Sequence, residues 1–82
     1  MTLNELRYVV AVARERHFGR AAEACHISQP TLSVAVRQLE DELGVALFER
    51  APGEVTVTPV GRRIVEQAQR VLEEAVVIRQ IA

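Results

Sequence analysis

Residues 25–40, CHISQPTLSVAVRQLE, decide how the rest of the chain folds. Ser28 is a good helix N-cap, and Pro30 falls in the first helical turn, where a missing N–H is harmless. Leu32, Val36, Leu39 and Leu43 then recur at helical spacing as a buried stripe, and Gly44 ends the helix. Val34 breaks this economy. At about 100° per residue it lies about 200° from Leu32, on the side that meets water. Pro30 and Arg37 share that outer side, Ser33 and Gln38 flank it, and Gln29 and Thr31 stand at its N-terminal end.

Upstream, His26-Ile27 makes a tight turn, with Ile27 expected to plug the core. Before it, Phe18, Ala21, Ala22 and Cys25 share one side of a short alanine-rich helix. Small side chains there allow a second helix to cross closely. The break at His17-Phe18-Gly19 separates this segment from a first helix that runs to about Arg16. That helix opens on Thr2 with Glu5 three residues on, a capping box. Its expected apolar stripe is Leu3, Leu6, Val10 and Ala13, widened by Val9.

Downstream, two β-prone runs, Val45–Arg50 and Val55–Thr58, flank a Pro-Gly turn and predict a hairpin. Val55 and Val57 should be covered, Thr56 and Thr58 wet. Thr58-Pro59 then repeats the cap-and-proline start, and no further proline intervenes before Ala82. This last helix, about 36 Å long at 1.5 Å per residue, exceeds what so small a body can cover. Ile64, Ala68, Val71, Ala75 and Ile78 step along it by four and three, with Val65, Leu72 and Val76 beside them. A heptad-like stripe of this kind predicts pairing with a second copy. The expected dimer interface is Ile64, Val65, Ala68, Val71, Leu72, Ala75 and Ile78.

The order is helix, short helix, turn, helix, hairpin, long helix. It predicts a mainly α chain, a winged helix-turn-helix with a two-stranded wing and a long C-terminal linker helix for dimerisation. Residues 1–58 form the body and 59–82 the projecting helix. With 82 residues, 49% hydrophobic and 4% aromatic, a single small core is expected. No apolar run nears the roughly 20 residues of a membrane span, so a cytoplasmic location without membrane contact is expected. Cys25 is alone and cannot bridge within the chain.

The outer side of the third helix carries the chemistry. Gln can pair with adenine, Thr and Ser with several base edges, and a valine can meet a thymine methyl. Arg20 is placed for a backbone phosphate, and Arg50, at the hairpin, for a phosphate or the minor groove. The net charge is −1 and all 10 basic residues are arginine, so placement must do what bulk charge cannot. Glu40-Asp41-Glu42 is expected as a solvated helix end that keeps phosphates away from the C-terminal half. Catalysis has no visible basis: there is no Gly-x-Ser-x-Gly elbow. His17 and His26, nine residues apart, lack further ligands at metal spacing and suit turns or caps. No cofactor and no metal are expected. A protein-interaction module using the same face is the alternative.

The stretch HFGRAAEACHISQPTLSVAVRQLEDELGVALFER, with TPVGR after the hairpin, resembles the DNA-binding domain of LysR-type transcriptional regulators. RAAEACHISQPTLS and QLEDELGVALFER are similar in particular to the peroxide-responsive branch. The resemblance implies major-groove readout from Gln29, Pro30, Thr31, Ser33 and Val34, supported by Arg37 and Arg50. It also implies an antiparallel homodimer through the linker helix on a pseudo-palindromic site in double-stranded DNA, with higher oligomers open to the full-length protein. The family's effector-sensing domain, which holds the reactive cysteines of that branch, is not in these residues. A fragment of a longer protein is therefore expected, with Cys25 a packing thiol and not a sensor.

Overall fold

All four helices begin on a side chain that accepts a hydrogen bond from the first turn. In the computed structural model, which describes residues 1–82, these caps are Thr2, His17, Ser28 and Thr58. They open α1 (Leu3–Glu15), α2 (Phe18–Cys25), α3 (Gln29–Leu43) and α4 (Pro59–Ile81). The Thr2–Glu5 capping box is complete in both directions. Arg16, His26 and Gly44 close the first three helices in the left-handed region, at φ 52°, 57° and 73°. Two tight turns therefore place three helices around one centre with almost no connecting chain.

α1 packs against α2, α3 and α4. Surrounded on three sides, it buries a broader face than one stripe: Leu6, Val9, Ala11 and Val12 are inside. Ala11 and Val12 were not expected there, and Leu3, expected inside, is exposed at the helix start. From α3 the core receives Leu32, Val36 and Leu39, but Leu43 lies past the body and is 37% exposed. Leu47, Phe48 and Val55 close the core from below the hairpin, and Ile27 packs half-buried against it.

The wing is shorter at its start than the β-prone run predicts. β1 (Phe48–Ala51) pairs antiparallel with β2 (Glu54–Val57), Phe48 opposite Val57 and Arg50 opposite Val55. Residues 45–47 are irregular because Leu47 dives into the core. Thr58, expected wet, is buried. Its Oγ1 donates to the Ala46 carbonyl at 2.7 Å and accepts the Gly61 N–H at 2.9 Å. Its own N–H reaches the Leu47 carbonyl at 3.0 Å. One threonine thus ends the wing, starts α4 and ties both to the loop before β1.

Glu40 also departs from expectation. Asp41 and Glu42 are exposed, but the Glu40 carboxylate turns back to accept the N–H groups of Leu47 (2.7 Å) and Phe48 (3.3 Å). The recognition-helix candidate and the wing root are fastened by one side chain. Removing it leaves two partly buried donors unpaired, at about 2 kcal/mol for a charged acceptor. Glu40→Ala is expected to lower the urea midpoint accordingly, and Glu40→Gln, which keeps one acceptor, by about half as much. Equal midpoints for Glu40→Ala and the parent would remove this fastening from the account.

α4 is divided along its length. Gly61, Val65 and Ala68 are buried within the chain, whereas Ile78 and Ile81 are 69% and 81% exposed. Val65 and Ala68 therefore leave the expected pairing face: they serve the chain's own interior. Leu72 and Ala75 are half-buried, and Val71, Val76 and Val77 face outward.

Candidate nucleic-acid interface

α3 presents its outer side to solvent as its periodicity requires. Val34 is 56% exposed, and Gln29, Pro30, Thr31 and Arg37 are exposed around it. Ser33 is half-buried at the edge of the same face. Thr31 is less free than its position suggests. Its hydroxyl lies 2.8 Å from Ser28 Oγ, which also accepts the Thr31 N–H at 3.2 Å. The Thr31 hydroxyl thus shares the helix cap, and any outside contact it makes competes with that bond. Ser33, Val34, Arg37 and Gln38 line one shallow groove along the helix, closed at its C-terminal end by Asp41. Arg37 lies outside every ion pair of the chain, so its charge is uncommitted.

The two flanking arginines are held in different ways. Arg20 donates to the Glu15 carbonyl oxygen at 3.1 Å and pairs with the Glu15 carboxylate at 3.8 Å. Its backbone N–H caps α2 on His17 Nδ1 at 3.0 Å. Gly19 makes room for that ring: a Cβ there would lie 2.8 Å from His17 Cε1. Arg50 leans from β1 over the Phe18 ring, its Cζ 3.9 Å from the centroid. Phe18 meets Phe48 edge to face, centroids 6.3 Å apart and planes at 83°. Sequence reasoning placed Phe18 only in the core. Its second face, under the wing, needed the tertiary arrangement to be seen. A cleft of about 250 Å³ separates the wing from the starts of α2 and α3, with Gln29 and Arg50 both on its wall.

The remaining candidates are quiet. Burial pushes the Cys25 thiol above its ordinary value, partly opposed by Arg14 and Arg7, so it is a poor nucleophile near neutrality. No three His, Cys, Asp or Glu side chains gather at metal-holding distance. No helix is long and apolar enough to cross a membrane.

The profile described as bacterial regulatory helix-turn-helix protein, lysR family, matches residues 3–62. The chain belongs to the LysR family. Among LysR-family relatives, the hydrogen peroxide-inducible genes activator of Pectobacterium carotovorum is 52% identical over all 82 residues. The chain spans 27% of that relative's length. Full-length OxyR from Pseudomonas aeruginosa superposes with a TM-score of 0.95 at 65% identity, over 99% of this chain and 28% of that one. The BenM_DBD/benA site 1 DNA complex superposes with a TM-score of 0.93 at 38% identity, over 99% of this chain and 91% of that one. The winged helix-turn-helix predicted from the order of elements is thus the fold of LysR regulators.

Proposed function

We propose that this chain is the sequence-specific DNA-binding domain of an OxyR-like transcription regulator. The start of α3 enters the major groove, and the chain works as a homodimer on a pseudo-palindromic site. The observation that carries the reading is the exposed, acid-free face from Gln29 to Arg37, on a fold it shares with a protein solved on DNA. Gln29, Ser33 and Val34 contact base edges, Thr31 does so in competition with its cap, and exposed Pro30 adds apolar surface beside them. Arg37, Arg20 and Arg50 meet phosphates or the minor groove. The one free N–H in the first turn of α3, that of Gln29, adds a further anion contact, since Pro30 has none and Thr31 gives its own to Ser28.

Pairing is assigned to residues 59–82, the body to 1–58. Its basis is the apolar surface that α4 leaves uncovered, from Val71 through Ile78, with Leu72 and Ala75 half-covered and Ile64 at the near edge. Few basic groups per subunit reach the duplex, so affinity rests on two copies binding together. A regulator of this kind acts in the cytoplasm, needs no cofactor at this domain and catalyses nothing.

Selection of bound duplexes from a random pool tests the reading, since it reports target, symmetry and half-site spacing at once. Ser33→Ala is expected to change the preference at one position by about 1–3 kcal/mol. Arg20→Ala is expected to weaken all sequences alike and reduce the salt slope by about one. Identical behaviour of the two variants across the pool would end this division of labour. Retention of a protein partner with no salt-dependent retention of any duplex would favour an interaction module instead.

A further inference from the structure

Arg50 is exposed on the wing, where a long side chain would ordinarily sweep a wide arc. No carboxylate pins it: it lies outside every ion pair of the chain, although Glu54 lines the same cleft. What lies under its guanidinium is the face of Phe18 at 3.9 Å. That ring is itself packed on its other sides. It is buried at the first residue of α2, directly after the His17 cap, and Phe48 packs edge-on against it.

A ring differs from a carboxylate in what it leaves free. A carboxylate would take up guanidinium N–H donors and cancel the charge. A ring face attracts the cation through its quadrupole and uses none of the five donors. A guanidinium stacked in this way is oriented yet keeps both charge and donors for an outside acceptor. The acceptor most easily met is the one facing Gln29, which shares the cleft wall.

We propose that Phe18 is a positioning residue for Arg50: its ring holds the wing arginine, charged and with free donors, beside the start of α3 so that both engage one duplex together. The proposal rests on the DNA reading above. It makes Phe18 a determinant of how the site's flanks are read, since an arginine presented by a wing favours the narrow minor groove of A·T-rich sequence.

The test uses a duplex that the parent chain recovers from a random pool, alongside a copy whose flanking A·T pairs are changed to G·C. F18L, F18Y, R50A and F18L/R50A are compared for affinity on both, with folding checked by circular dichroism. F18L and R50A are each expected to weaken binding roughly two- to ten-fold and to lose the flank preference. The double variant should bind no worse than R50A alone, and F18Y, which keeps the ring, should behave as the parent. A folded F18L with parental flank preference, or losses that multiply in the double variant, would overturn the inference alone. Failure of the parent chain to retain any duplex overturns the DNA reading together with it. A measurement independent of the variants guards against F18L failing to fold. The side-chain proton resonances of Arg50 in the free parent chain should be shifted by the ring current of Phe18, and random-coil positions would overturn the proposal.

Discussion

Gly61→Ala is expected to be the most damaging single-methyl change in this chain. A Cβ at Gly61 would stand 2.2 Å from the Leu47 carbonyl oxygen and 2.8 Å from Thr58 Oγ1. The obstacle is backbone, and the loop it belongs to is held by Glu40 and Thr58 hydrogen bonds, so it cannot step aside cheaply. Forcing α4 away from the wing root breaks the Thr58 junction and opens the core around Leu47. Overpacking of this kind costs about 3 kcal/mol or more, a large share of the roughly 5–10 kcal/mol such a domain has. At about 4–8 °C per kcal/mol for a chain of this size, the melting temperature should fall by about 12–24 °C. Gly44→Ala is the control. There a Cβ meets nothing within 4 Å, and only the left-handed backbone at φ 73° opposes it, at about 1 kcal/mol. If thermal melts placed Gly61→Ala within a few degrees of the parent, the close docking of α4 on the loop would be wrong.

Val34→Glu should separate binding from stability. Val34 is more than half exposed, so the folded state loses little. The expected change in the urea midpoint corresponds to less than about 0.5 kcal/mol, with glutamate the better helix former. Duplex binding should collapse. The substitution removes an apolar group that suits a thymine methyl and sets an anion facing phosphates, where like-charge contact costs several kcal/mol. At 1.4 kcal/mol per tenfold, about 100-fold weaker binding or worse is expected in a filter or anisotropy titration. Val34→Glu binding the selected duplex as tightly as the parent would mean that this face of α3 never enters the groove.

The elements visible in the sequence are those written in local grammar. Ser28 with Pro30, Thr58 with Pro59 and Thr2 with Glu5 each declare a helix start within four residues, and all three are where the structure has them. Val34 was legible for the same reason, because a helix projects each residue at a fixed angle whatever surrounds it. The roles of Glu40, Thr58 and Phe18 are hidden from local pattern because they depend on partners 7 to 32 residues away: Leu47, Ala46 and Arg50. A carboxylate near a helix end looks solvated until a loop is folded back over it. Val65 and Ala68 carry the spacing of a pairing face yet serve the chain's own core, because one apolar stripe cannot declare which body covers it. α1 covers α4 as far as Leu72 and Ala75, beside which its Leu3 and Arg7 lie, and nothing in the spacing marks where that cover stops.

α4 has no proline, glycine or irregular turn between Gly61 and Ile81, and its first turn is keyed to the carbonyls of Ala46 and Leu47 through Thr58. It is therefore one continuous rod, docked along α1 through Val65 and Ala68 and keyed at its base to the loop that Glu40 ties to α3. Wing root, α3 and α4 share that loop, so none of the three is set independently of the other two.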